Sequence, residues 1–119
     1  MSLNAQIEQL FKNFTVDKVQ IPVSFMHYEG HGEPYITYMQ FDANGSFSAD
    51  DKLAGYVVYY DFDIYSQSNY LNIIDAVISL MESAGWTWQV NRSSQDMYEA
   101  DTRYYHRTLC FAIEVERGF

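Results

Sequence analysis

The chain has 119 residues, 48% of them apolar, which excludes disorder and predicts one domain spanning 1–119 with a core that needs no disulfide or metal. Sixteen acidic against seven basic residues leave a net charge of −9. That balance excludes specific nucleic-acid binding through Lys and Arg, and it is wrong for an anionic membrane surface. The single cysteine, Cys110, rules out an internal disulfide. No basic leader and no run of about 18 apolar residues is present, so the reading is a soluble protein made in the cytoplasm. Aromatic residues reach 18%, eleven of them Tyr, a composition suited to half-buried sheets and interfaces.

Leu3, Ile7, Leu10, Phe11 and Phe14 fall on one helical stripe and predict a helix over 3–14. Alternation at Val19, Ile21, Val23 and Phe25 predicts a strand, with Pro22 confining it to an edge. His27 to Glu33 read as a Gly-punctuated turn, and a second strand is expected from Tyr35 to Asp42. Residues 43–55, thirteen in number, read as a polar, acidic loop with an Asn44-Gly45 turn signal. Residues 56–65 give the clearest strand: Val58, Tyr60, Phe62 and Ile64 toward the core, Val57, Tyr59, Asp61, Asp63 and Tyr65 away from it. A helix over 70–84, stopped by Gly85, carries Tyr70, Ile73, Ile74, Val77, Leu80 and Met81 at helical spacing. A strand from Trp86 to Val90, a polar loop over 93–102 and a last strand from Arg103 to Glu116 complete the order α-β-β-β-α-β-β. The expected fold class is α+β: a two-layer sandwich of two helices on a mainly antiparallel sheet of about five strands.

Asp61 and Asp63 share a strand face, and paired carboxylates can do acid–base work or hold a cation. No His or Lys adjoins them, and an acidic stripe facing solvent or a subunit is the plainer reading. Asp96, Glu99 and Asp101 cluster in one loop, but without the Gly and ligand spacing of a calcium loop. His27 and His31 flank Glu29 and Glu33, yet Gly30, Gly32 and Pro34 make the segment a turn, not a zinc-binding helix. His106 reads as a hydrogen-bonded structural residue. Cys110, inside a strand, lacks the neighbouring base that a nucleophile needs. No phosphate-binding, nucleophile-elbow or CxxC motif occurs, so no catalytic residue, cofactor site or metal site is assigned and the chain is not read as an enzyme.

Several stretches together resemble a family. Tyr60-Asp61-Phe62-Asp63-Ile64-Tyr65-Ser66 precedes the second helix and Ala84-Gly85-Trp86 follows it. Asp96-Met97-Tyr98-Glu99-Ala100-Asp101-Thr102 leads into Tyr105-His106-Arg107. With Ile21-Pro22-Val23 and Pro34-Tyr35-Ile36-Thr37-Tyr38 near the start, the order resembles the tail terminator (tail completion, head–tail joining) proteins of Gram-positive siphophages and prophages. The resemblance spans nearly the whole chain and implies one tail-terminator-like domain without catalytic residues. It implies a structural virion-tail protein, assembled in the bacterial host cytoplasm as a homo-oligomeric ring, generally a hexamer. Such a ring caps the tail tube protein, meets the head connector or stopper protein, and lets DNA pass through its lumen.

A closed ring needs two complementary surfaces on each copy. Tyr59, Asp61, Asp63 and Tyr65 are the first candidates for subunit contact. Asn44, Phe47, Asp50, Asp51 and Lys52, in the expected 43–55 loop, are candidates for touching the tube. Between residues 21 and 70, Glu29, Glu33, Asp42, Asp50, Asp51, Asp61 and Asp63 oppose Lys52 alone, an acidity that would repel DNA from a lumen. A different class, an acidic DNA-mimic inhibitor of a host nuclease, also accommodates that charge. So does another α+β binding domain whose pocket the residues alone do not define.

Overall fold

The computed structural model describes residues 2–30, 32–49 and 52–116, and for 42–49, 52–54, 56 and 116 the backbone alone. The first helix, α1, is Leu3–Leu10, capped by the Ser2 hydroxyl, which accepts the Ala5 N–H at 3.1 Å. It ends sooner than the apolar stripe suggests, because Asn13 takes a left-handed φ of 57° that turns the chain away. Phe11 and Phe14 still join the core, from the turn rather than from the helix.

Thr15–Val16 (β1) and Val19–Gln20 (β2) form a small antiparallel hairpin. Asp17 and Lys18 turn it with φ of 51° and 69°, the sign that matches the twist of paired strands. The strand expected over 19–26 is thus two strands. Pro22 has no N–H to continue a ladder, and the chain changes partners there. Beyond it, Val23–Phe25 (β3) lies parallel to Tyr35–Ala49 (β4), with Val23 opposite Ile36. The Pro22 carbonyl accepts the Ile36 N–H at 2.9 Å.

β4 pairs along its length with Lys52–Ser66 (β5), from Tyr35 opposite Tyr65 to Ala49 opposite Lys52. The expected loop over 43–55 is therefore strand on both sides. Asn44 and Gly45 stand opposite Val57 and Tyr56, because strand-forming residues on β5 draw them into the ladder. The ladder absorbs its misfit as register shifts at 40/42, 45/47 and 47/48. After β5 come helix α2, Leu71–Ser83, then β6, Thr87–Trp88, a 3₁₀ turn at Val90–Arg92, β7, Met97–Glu99, and β8, Tyr104–Glu116. Gly85, with φ +95°, lets the chain leave α2, so that the Trp86 N–H reaches back to the Met81 carbonyl at 3.1 Å.

The main sheet has the order β3-β4-β5-β8-β6, with β7 also on β8. This corrects the expected class: eight strands are described in two sheets, and the larger, of six strands, is mixed because β3 is parallel to β4. In the parallel pair the chain leaves the sheet at Phe25, the end of β3, and re-enters it at Tyr35, the start of β4, running the same way. The short strands β1, β2 and β7 are held by one turn or one neighbour and leave almost no periodic trace.

Both helices pack on one sheet face. Ile7 and Phe11 from the first helical region and Ile73, Ile74, Val77 and Met81 from α2 cover Ile36, Tyr38, Tyr60, Phe62, Ile64, Leu109 and Phe111. Phe62, fully buried, is the centre, its ring 5.4–5.6 Å from those of Phe11, Tyr38 and Phe111. The Tyr60 hydroxyl finds its partner in the Asn4 side chain.

Candidate functional site

The alternation that sends Tyr60, Phe62 and Ile64 under the helices sends Tyr59, Asp61, Asp63 and Tyr65 to the opposite face, which neither α1 nor α2 covers. Register places successive rows across this face: Tyr35, Tyr65 and His106; Thr37, Asp63 and Thr108; Met39, Asp61 and Cys110. The four candidate contact residues, consecutive on one strand face, thus lie together and half-buried.

The first row is a stack. Tyr28 lies on Tyr35 and Tyr35 on Tyr65, each with centroids 4.8 Å apart, and Tyr65 lies on His106 at 4.2 Å. Tyr104 meets both Tyr35 and Tyr65 edge-on. Burial and the nearby Asp63 charge push the Tyr65 hydroxyl up to about 12, so it stays a neutral donor at neutral pH.

Asp63 takes hydrogen bonds from the Thr108 hydroxyl and from His106, whose Nε2 is 3.0 Å away. Burial alone would raise its pKa, but those bonds and the His106 charge outweigh burial and leave the carboxyl below its ordinary range. Glu99 lies 3.8 Å from the other imidazole nitrogen. Asp61 is the opposite case. Burial raises its pKa, its Oδ1 is buried without a hydrogen-bond partner, and the Cys110 thiol shares a hydrogen bond with it. Cys110 is fully buried and its thiol is pushed up to about 12 by burial and by Asp61, which disfavours the thiolate form.

At one margin the Arg92 guanidinium lies 4.0 Å from the centroid of the Tyr59 ring and 5.6 Å from that of Phe41. Beside it a depression of about 360 Å³ is lined by Val57, Tyr59, Thr87, Gln89, Ala112 and Glu114. Among the described residues that lining holds one charged side chain, Glu114, together with Tyr59 and the amide of Gln89.

The remaining candidates are spread over the fold. Asn44 and Phe47 belong to β4 and Lys52 to β5, so they are ladder positions in the outer hairpin, while Asp50 and Asp51 lie outside the described residues. Asp96 is held by the Tyr70 hydroxyl and, at 3.8 Å, by Arg107. Glu99 accepts from Thr102 and faces His106, and among the described residues no group of three or more His, Cys, Asp or Glu could hold a metal ion. His27 pairs with the exposed Glu29, and His31 lies outside the described residues.

Sequence reasoning missed the His106–Asp63 pair and the Tyr28–Tyr35–Tyr65–His106 stack. Only strand pairing makes neighbours of residues 43 positions apart. The one available signal was a Tyr on each strand face that the pairing aligns. No protein-family model and no curated protein matches this sequence.

Proposed function

We propose that this chain is a structural subunit of a phage tail, copies of which pack into a ring that caps the tail tube and joins it to the head connector. The observation that carries the reading is the sheet face that neither α1 nor α2 covers, where Tyr59, Asp61, Asp63 and Tyr65 stand half-buried in register rows opposite a face sealed by those two helices. Tyr supplies contact area with a polar tip, so such a face suits subunit packing better than bulk solvent does. The carboxylates among the rings give the same face a second use: turned toward a channel, they repel passing DNA instead of trapping it.

The β4–β5 hairpin supports the capping role. Among the described residues its ladder continues past Gly55, where pairing with β8 ends, to Ala49 and Lys52. The molecule measures 52 Å along its longest axis against 27 and 24 Å across. The outer hairpin, with Asn44, Phe47 and Lys52, is the element to reach a tube protein.

Electron microscopy of the chain mixed with the tail tube protein of the same phage tests this function. Tubes of defined length with a terminal ring are the expected result, and tubes that elongate without limit overturn it. A chain lacking residues 46–52 should fold and fail to cap. Capture of a host nuclease, with no effect on tubes, would instead favour the acidic DNA-mimic class.

A further inference from the structure

Two open strand edges lie at the same level on opposite sides of the main sheet. On β8, residues 113–116 pair with Val58, Val57, Tyr56 and Gly55 of β5. On β4, Ala43, Asn44, Gly45 and Phe47 pair with those same four residues from the other side. Outside β8 the described strands stop at Ala112, opposite the first residue of β6, and outside β4 they stop at Tyr38, where β3 ends. Among the described residues, both flanks of the sheet at this level are without a neighbouring strand.

The direction of the free main-chain groups on β8 follows from those that are satisfied. The Thr108 N–H goes to Ser94 Oγ at 2.8 Å and the Cys110 N–H to Ser93 Oγ at 3.0 Å, while the Cys110 carbonyl accepts from the Gln89 N–H at 2.8 Å. Even-numbered residues therefore turn their main-chain groups away from β5. The β5–β8 ladder runs from Tyr105 to Glu116 with no register shift, so Glu114 turns its N–H and C=O outward as well. A long open edge is a template for another strand.

We propose that the occupant of the β8 edge at 113–116 is the β4 edge at 43–47 of a second copy of this chain. Both strands run antiparallel to β5, so β4 and β8 point the same way, and a copy placed beside the first in the same orientation forms a parallel β8–β4 pair. Because the two edges sit at one level, the sheet continues from copy to copy without sliding along the strand. The contact is heterologous, and repeated by rotation it closes a ring. The inference deepens the proposed ring and rests on that reading for its use. The pairing itself depends only on the two edges.

Sedimentation velocity on the wild type, Glu114→Ala and Glu114→Pro tests it. Proline removes the outward N–H without touching the β5 ladder, as edge positions tolerate. Wild type and Glu114→Ala should form the same oligomer, and Glu114→Pro should associate roughly tenfold or more weakly, the effect of one interfacial hydrogen bond left unmade. Hydrogen exchange on the wild type gives a readout that needs no variant: the Glu114 amide should be protected in the oligomer and exchange freely on dilution.

Equal assembly of Glu114→Pro and wild type overturns the pairing. So does a wild type that stays monomeric to its solubility limit, or one that forms only two-fold dimers. Rings that cap tubes unchanged in Glu114→Pro refute the edge and leave the tail function standing. Assembly that depends on Glu114 but leaves tubes uncapped does the reverse.

Discussion

The imidazole of His106 lies on the ring of Tyr65 with centroids 4.2 Å apart and planes 15° from parallel. The two residues are register partners on β8 and β5, so strand pairing alone makes the contact. The stack holds the imidazole where Nε2 reaches Asp63 at 3.0 Å, which ties the aromatic row of the open face to its charged row.

Asp63 should make stability depend on pH in a defined direction. Its folded pKa is held below the unfolded value of about 3.9. Its contribution is complete above that value and is lost as pH falls through the lower, folded one. Asp63→Asn lacks the ionisation. Urea midpoints measured from about pH 5 down to about pH 2 should fall less steeply for Asp63→Asn than for wild type, and equal slopes would show that Asp63 carries no such linkage.

Cys110 should resist modification while the protein is folded. Its side chain is fully buried and its thiol is pushed up to about 12, so thiolate at the surface is scarce at neutral pH. Titration with a chromogenic disulfide should detect no thiol in native buffer and one per chain in denaturant. Rapid native labelling would contradict the buried Asp61–Cys110 contact.

Phe62→Ala should be among the most destabilising single substitutions. The ring is fully buried between Phe11, Tyr38 and Phe111, and their fixed positions leave a cavity that cannot collapse. The expected loss is about 3–5 kcal/mol in equilibrium urea unfolding. A loss below about 1 kcal/mol would mean that the core repacks freely.

The Arg92–Tyr59 contact should register as pairwise coupling. With the guanidinium 4.0 Å from the ring centroid at a partly exposed margin, a coupling of about 0.5–1 kcal/mol is expected. A double-mutant cycle of Arg92→Ala and Tyr59→Ala separates this pair from the other contacts of Arg92. Strict additivity would remove Arg92 from any role in shaping the open face.

Periodicity made the sealed face legible in advance. Val58, Tyr60, Phe62 and Ile64 alternate with Tyr59, Asp61, Asp63 and Tyr65, and a strand has only two sides, so naming the buried set named the open one. The helical spacing of Ile73, Ile74, Val77 and Met81 likewise identified the face of α2 that covers the sheet. The Asn44-Gly45 pair shows where local signals stop. Those residues favour a turn by themselves, yet they stand within a ladder opposite Val57 and Tyr56, because many cross-strand contacts outweigh one turn preference.

Composition and alternation by themselves determined which side chains of β5 enter the core, where α1 begins and α2 stops, and the acidity of the surface, since these follow from solvation and backbone geometry within a few residues. Tertiary structure alone decided that β3 runs parallel, that His106 meets Asp63, and that two open edges face outward at one height. Those are outcomes of which distant strands pair and in what register, and pairing energy is shared between segments that no local pattern connects.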